Sequence, residues 1–323
     1  MRRAHRVAGG WSLVTLLAGA GLSAMLLLSP ATAQPKGDAV SESQPPASPL
    51  AEQLEKAIAA VRQGDYEPIS QLTDRAKELV PLLARYANDP SVEVRREVLA
   101  LVKAGDTPAA VPILIHLLAD ADSEVQRSAA AGLYGLDPGA LAKHPASAKA
   151  LAQGVAAGNT ASAPAILLLG YAPPDAVTPV LQQLCGQGPD HRTKLEEWTP
   201  PVPVRLAATV VLSRLGDREA RRALLEATTA QDLAVRQFLL GVVRDIDSPE
   251  VLHALAAYLD DPRLTGSGAP AGAESQRRLC DDAVNALVRR LKLKVDFPLS
   301  EAQPYLPAQI DQVRARLAEA IPR

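Results

Sequence analysis

The sequence predicts an all-α protein, an α-solenoid of about six helical hairpins with a C-terminal capping helix. Two observations lead to this fold class. Several sequence features recur at one fixed interval, the spacing from Pro81 to Pro112, and such recurrence is typical of repeat architectures. The composition is 47% hydrophobic but only 3% aromatic, so alanine, leucine and valine supply the apolar surface of closely packed helices. Such an array needs no second core, because each unit packs on its neighbours.

The N-terminus has the features of a signal peptide over residues 1–33. Three arginines open the chain, an apolar stretch covers residues 7–28, and Ala31 and Ala33 provide a cleavage site. We therefore expect an exported bacterial protein, periplasmic or secreted. The alternative is an uncleaved N-terminal membrane anchor, since the stretch is long enough to cross a bilayer. Loss of the three arginines would change the formal charge from −2 to about −5, which argues against nucleic acid binding.

The rest of the chain divides into a linker, a repeat array and a cap. Residues 34–49 are rich in proline, serine and charge, which predicts a disordered linker. The array is expected over residues 50–294. Residues 295–323 are expected to form the cap that an open solenoid end requires. The apolar stripe of its helix consists of Ile310, Val313, Leu317 and Ile321.

The recurring interval, which we call the repeat interval, defines the repeating unit. It separates three pairs of positions: Pro81 and Pro112, Val94 and Val125, and Val204 and Val235. In each unit a helix with apolar residues at helical spacing precedes a short polar turn, and a second helix opens at the valine. The predicted helix pairs cover residues 68–104, 107–136, 139–171, 174–215, 217–246 and 248–291.

The unit resembles the repeat of the HEAT-repeat family, and the chain resembles the exported bacterial members of that family. The features that carry the resemblance are a Val-Arg opening of the second helix, as at Val94-Arg95, a proline inside the first helix, and Gly-Asp exits at residues 105–106 and 216–217. It covers roughly residues 65–294. The resemblance implies a scaffold for protein–protein interaction without catalysis, whose second helices line a concave groove. Some HEAT-like proteins are enzymes of the bilin-lyase or DNA-glycosylase type, which is one alternative; a binder of an anionic envelope polymer is another.

Two insertions lengthen the turns of the fourth and sixth units. In the first unit, Pro81 stands shortly before Val94, whereas the interval from Pro179 to Val204 in the fourth unit is almost twice as long. The sixth unit gains a comparable insertion rich in glycine, serine and alanine. Both interrupt the same kind of turn, so both should emerge from one edge of the solenoid. Long loops are frequently functional, and the first insertion contains Trp198, a residue type that can anchor a partner. The alternative is that Trp198 packs on the following helix. The candidate partner-binding residues of the first insertion are His191, Arg192, Glu197 and Trp198.

Arginines of the second helices are the other candidates. Those near the helix start, Arg95, Arg127, Arg205 and Arg236, are expected to tie successive units together through aspartates such as Asp122 and Asp232, as the resemblance implies. Others would be free to bind an acidic or anionic ligand. The candidates for partner binding in this group are Arg214, Arg244 and Arg278.

The sequence offers no catalytic or metal-binding motif. The histidines His116, His144, His191 and His253 are isolated from other metal ligands, and no nucleophile elbow or phosphate-binding loop occurs. We therefore predict no enzymatic activity, no cofactor and no metal. Cys185 and Cys280 are two repeats apart, too far to form a disulfide. The expected partner is another envelope or secreted protein, or an extended peptide.

Overall fold

The computed structural model describes residues 48–186, 192–193, 202–265 and 277–321, and almost all of its regular structure is helical. The first unit is preceded by α1 (Pro49–Val61) and the short α2 (Glu67–Ser70). The longer helices that follow form antiparallel pairs. The pairs are α3 (Ala76–Leu83) with α4 (Val92–Gly105), α5 (Val111–Leu117) with α6 (Ser123–Leu136), α7 (Pro145–Ala156) with α8 (Ala163–Leu169), α9 (Pro174–Gly186) with α10 (Val204–Arg214), α11 (Arg218–Ala227) with α12 (Leu233–Gly241), and α13 (Pro249–Leu255) with α14 (Leu279–Leu291).

These six hairpins, units one to six, confirm the predicted solenoid. The predicted positions of all six pairs agree with the observed helices, including unit three, where the valine-arginine signature is missing. Successive second helices pack on one another, as α4 on α6, α6 on α8 and α8 on α10. One continuous apolar cluster runs from Leu54 to Ile321. Each unit thus completes the core of its neighbours.

Short polar residues set the helix starts. Ser91, Asp122, Asp217, Asp232 and Ser248 each precede a helix and accept a hydrogen bond from a backbone N–H of its first turn. Such caps satisfy donors that the helix itself leaves unpaired. A capping side chain therefore fixes where each of these helices begins.

The two Gly-Asp exits end their helices in different ways. Gly216 has a φ of 94° and takes the left-handed conformation after α10, as expected of a glycine C-cap. After α4 it is Asp106 that has the positive φ, 42°. Gly105 stays helical, and a Cβ there would lie 2.6 Å from Cγ2 of Val80. Gly105 therefore serves the close approach of α3 and α4.

The C-terminal helix α15 (Pro307–Ala320) closes the array. Its predicted stripe is buried, with Ile310, Val313 and Leu317 facing inward. The helix packs against α14 and the 3-10 turn after α13. This confirms the capping helix.

The bases of the two insertions lie on one edge, as predicted. The first begins and ends in an antiparallel pair of strands, β1 (Arg192–Thr193) and β2 (Val202–Pro203). The second is closed by a bridge between Leu264 and Arg278. Strand β2 contacts α12, and Gln237 of α12 donates to the carbonyl of Thr265 at 3.2 Å. The described bases of both insertions therefore contact α12.

The two cysteines do not form a disulfide. Cys280 is buried at the start of α14. Cys185 is half-buried, with its Sγ 3.7 Å from Oγ1 of Thr209. The two thiols are separate, as predicted, but the expectation that both are buried holds only for Cys280. Among the described residues, no helix combines the length and apolar character needed to cross a bilayer.

Candidate functional site

Two arginines at the start of second helices tie successive units together. Arg95 donates from Nε and Nη2 to Asp120 at 2.6 and 2.8 Å. Arg236 donates from Nη1 to Asp261 at 2.7 Å. In both pairs the aspartate lies 25 positions after the arginine, in the turn of the next unit. All four side chains are largely removed from solvent, so these pairs, which we call the ladder, belong to the architecture and not to a binding surface.

The prediction was wrong for the other two arginines at helix starts. Arg127 is exposed. It stands two positions after the valine that opens its helix, whereas Arg95 directly follows its valine. The buried side chain in this place is Gln126, whose Oε1 accepts from Oγ1 of Thr160 at 2.5 Å across the next turn. Arg205 is also exposed, and the residue at the place of the partner aspartate is Ala230.

The predicted acceptors also need correction. Asp122 and Asp232 cap α6 and α12 by accepting from their backbone. The partners of Arg95 and Arg236 are other aspartates, Asp120 and Asp261. Asp122 does bind Arg96 at 3.1 Å, on the solvent side. The aspartates that bind the buried arginines stand at the start of the interhelix turn instead.

A cluster of polar side chains joins units two to five at the C-terminal ends of their second helices. At its centre is Asp245, which is only 2% exposed. Its Oδ2 accepts from the hydroxyl of Tyr134 at 2.6 Å, and its Oδ1 accepts from the hydroxyl of Tyr171 at 2.6 Å and from Arg214 at 2.8 Å. Arg244 donates to the carbonyl of Tyr134 at 2.6 Å. We call these five residues the clasp.

Stacking strengthens the clasp. The guanidinium of Arg214 lies 3.7 Å from the ring centre of Tyr171, and that of Arg244 lies 4.0 Å from that of Tyr134. Such contacts between cations and aromatic faces are worth about 0.5–2 kcal/mol. Burial, together with the charge of Asp245, raises the pKa of Tyr134 far above its usual value, so the tyrosine remains a hydrogen-bond donor at all physiological pH values.

The clasp divides the face formed by the second helices. Unit two touches unit five directly, although two units separate them in sequence. In unit four, between them, the residues of α10 from Leu206 to Ser213 are all buried. Open grooves on this face are found nearer its two ends.

The larger open groove, here called the C-terminal groove, lies between α12 and α14. It has a volume of about 770 Å³. Its floor is apolar or small, with Leu240, Gly241 and Ala286, and arginines stand along its walls. A smaller groove of about 350 Å³ lies between α4 and α6 at the other end. The arginines and acidic residues that line the C-terminal groove are Arg244, Arg289, Arg290, Asp282 and Glu301.

A non-helical segment of the chain itself, residues 299–305, is bound along α14 beside this groove. The carbonyl of Ser300 accepts from Arg277 at 2.7 Å and from Asn285 at 2.8 Å. The hydroxyl of Tyr305 donates to Oδ1 of Asn285 at 2.5 Å. Glu301 forms an ion pair with Arg289. Side chains of a second helix therefore hold an irregular peptide segment by its backbone and by one carboxylate.

The predicted site residues have different positions. Arg244 lines the C-terminal groove, whereas Arg214 is committed to the clasp. Arg278 binds Asp281 at 2.9 Å and the carbonyl of Tyr305 at 2.8 Å, and so anchors the C-terminal segment. His191, Glu197 and Trp198 lie outside the described residues, and for Arg192 the structure describes only its place in β1.

Sequence reasoning did not find the clasp or the groove residues of α14. The clasp depends on a contact between residues 111 positions apart, for which the repeat pattern gives no signal. Asn285 and Arg289 occur in an unremarkable amphipathic helix. The ranges that the structure describes contain no group of acidic, histidine and cysteine side chains suited to hold a metal ion.

Comparison with known proteins places the chain among repeat proteins. A family model described as HEAT repeats matches twice, over residues 48–134 and 77–162. The solved complex of CpcE and CpcF of phycocyanin lyase from Nostoc sp. PCC7120 is similar at 19% identity and a TM-score of 0.45, covering 87% of this chain and 97% of that one. No curated protein matches. The family model thus identifies HEAT repeats over residues 48–162, and helical hairpins of the same form continue through α14.

Proposed function

We propose that this protein is an exported, non-catalytic scaffold that binds another protein through its C-terminal groove. The observation that carries the proposal is the groove itself, an open channel of about 770 Å³ between two second helices. An apolar floor supplies contact area, and the arginines on its walls supply directed hydrogen bonds. This combination suits a peptide segment, which offers apolar side chains together with hydrogen-bond acceptors.

The clasp supports the same proposal by making the groove rigid. Arg244 is held by the carbonyl and the ring of Tyr134, so one wall of the groove does not need to be ordered when a partner binds. A surface that is already in its bound form loses less entropy on association. The described base of the second insertion lies beside the groove, since Gln237, which lines the groove, donates to the carbonyl of Thr265.

Site-specific photocrosslinking in the native host tests the proposal. A photoreactive residue would replace Ala286, which lines the groove, and in separate variants Trp198 and Arg222. Arg222 stands on the first helix of unit five and is 70% exposed, so it is the matched control. We expect a discrete crosslinked product at position 286 and none at 222. Equal labelling at both positions would remove the groove from consideration, and a product at position 198 alone would assign binding to the insertion.

Export is part of the proposal and has its own test. The motif over residues 1–33 supports a periplasmic or secreted protein whose signal is removed after Ala33. Mass spectrometry of the protein purified from its host would then give an N-terminus at Gln34. An intact N-terminus in the membrane fraction would show an anchor instead.

A further inference from the structure

We infer that the C-terminal groove recognises an acidic, non-helical peptide segment, and that Arg244 receives its carboxylate. The inference deepens the proposed function and rests on it. α14 already holds one peptide segment, residues 299–305, which is an internal example of how this surface binds a peptide.

The internal example shows which groups do the binding. Arg277 and Asn285 donate to the carbonyl of Ser300 at 2.7 and 2.8 Å. The guanidinium of Arg289 pairs with the carboxylate of Glu301. Together with the buried Tyr305, a backbone carbonyl and one carboxylate of the segment are therefore the groups that this surface binds.

By sequence position, the counterpart of Arg289 in the preceding unit is Arg244, which follows α12. Arg289 lies nine positions after Cys280, which opens the core of α14, and Arg244 lies nine positions after Val235, the equivalent residue of α12. Both arginines line the C-terminal groove. α12 ends at Gly241, and Arg244 stands in the 3-10 turn that follows. Its direction is therefore given by the groove lining and not by helix register: its side chain lines the groove together with that of Arg289.

The charges of the groove favour an acidic segment at Arg244. The two acidic residues that line the groove are already paired, Asp282 with Arg277 at 2.7 Å and Glu301 with Arg289. The side chain of Arg244 is 45% exposed. Its Nη2 donates to the carbonyl of Tyr134 and its Nε lies 3.7 Å from Oδ2 of Asp245, while its Nη1 has no hydrogen-bond partner among the described residues. A carboxylate from a partner would therefore complete the hydrogen bonding of an arginine that the clasp already holds in place.

Labelled peptides test the inference on the full mature chain. The probe is a fluorescein-labelled peptide with the sequence of residues 297–305, FPLSEAQPY, and its twin carries glutamine in place of the glutamate. Fluorescence anisotropy would compare the two on the wild type, on Arg244→Gln, and on the charge-matched control Arg222→Gln. We expect the glutamate peptide to bind about tenfold more tightly than its twin, a difference that corresponds to one charge-assisted bidentate contact.

Each outcome decides the inference. The tenfold preference should persist in Arg222→Gln and vanish in Arg244→Gln. Because the glutamine twin changes the ligand and not the protein, the comparison stays valid even if Arg244→Gln loosens the clasp. Equal binding of both peptides, or binding of neither, would overturn the acidic specificity. If both peptides bind the wild type equally and neither binds Gly241→Phe, whose groove is blocked, the acidic specificity fails but the groove remains the binding site. Failure of the inference and failure of the proposed function are therefore distinguishable.

Discussion

The hydroxyl of Tyr134 on α6 donates a hydrogen bond of 2.6 Å to Asp245, a residue 111 positions later in the chain and three units away. In a regular solenoid a unit touches only its neighbours. This contact closes the arc between units two and five at one edge. Of the two grooves described on the second-helix face, the C-terminal groove is the larger.

Removal of the Tyr134 hydroxyl should weaken the clasp. In Tyr134→Phe the ring remains, but Oδ2 of the buried Asp245 loses its closest donor. A hydrogen bond to a charged group contributes about 1.5–3 kcal/mol, so the free energy of unfolding in urea should fall by about 2 kcal/mol. Tyr66→Phe is the control, since Tyr66 is 44% exposed. An equal effect of both variants would show that the clasp carries no stability of its own.

Removal of a ladder aspartate should be more severe than loss of a surface ion pair. Asp120→Ala leaves Arg95 with its guanidinium largely buried and its ionic partner gone. Breaking a buried pair in this way costs about 3–5 kcal/mol. Asp260→Ala breaks an exposed pair with Arg314 and should cost less than about 1 kcal/mol. Urea unfolding of both variants measures the difference, and similar values would contradict the structural role of the Arg95 pair.

The ladder can be completed where the sequence interrupts it. Arg205 occupies the position of Arg95 and Arg236, but the place of its partner aspartate is taken by Ala230. We expect Ala230→Asp to raise the free energy of unfolding by about 0.5–1 kcal/mol, the range of a partly exposed ion pair. Ala230→Asn, which has the same shape without the charge, should gain less. If the aspartate variant is less stable than the asparagine variant, the spacing between arginine and aspartate does not define the ladder.

The stability of unit six should depend on pH through Asp261. Hydrogen bonds from Arg263, and further from Arg236, lower the pKa of Asp261 despite the opposing effect of burial. A carboxyl whose pKa is lower in the folded protein than the unfolded value of about 3.9 stabilises the fold fully above about pH 5. That contribution is lost as the pH falls below about 4 towards the lowered pKa.

Comparison of the wild type with Asp261→Asn isolates this effect. The difference in the free energy of unfolding between the two proteins should be largest at pH 6 and shrink towards pH 3. Asp74→Asn, at an exposed position, should show no such trend. A constant difference across this range would show that the charge of Asp261 is not what matters.

The sequence predicts the helical hairpins well because their determinants are local. The repeat interval, the apolar spacing and the capping residues all act within one unit or between neighbours, and they locate α3 to α14 and the capping stripe of α15. The ladder was predicted in part. The sequence indicates an arginine at the start of the second helix, as at Arg95 and Arg236. In unit two, however, Gln126 takes this place, and only the structure shows that Gln126 is buried and the adjacent Arg127 exposed.

The candidate site was much harder to predict, because it depends on how far the array curves. Arg214 and Arg244 look alike in sequence, since both end a second helix. The curvature places Asp245 against Tyr134 and so encloses Arg214 while leaving Arg244 in an open groove. Arg278 appears free in sequence, yet the C-terminal segment returns and covers it. These outcomes follow from contacts between residues 24 to 111 positions apart, which no local pattern encodes.

The most direct test of the central claim is a block of the C-terminal groove. Gly241 ends α12 on the groove floor, and a Cβ there would meet no atom within 4 Å, so Gly241→Phe fills the channel without a clash at its base. Gly135 at the end of α6 has equally free space, and Gly135→Phe is the matched control. Both changes favour the helix, because glycine is the poorer helix former. With the photoreactive residue at position 286, we expect the partner crosslink to disappear in Gly241→Phe and to persist in Gly135→Phe. A crosslink of undiminished yield in Gly241→Phe would contradict the assignment of the groove as the partner-binding surface.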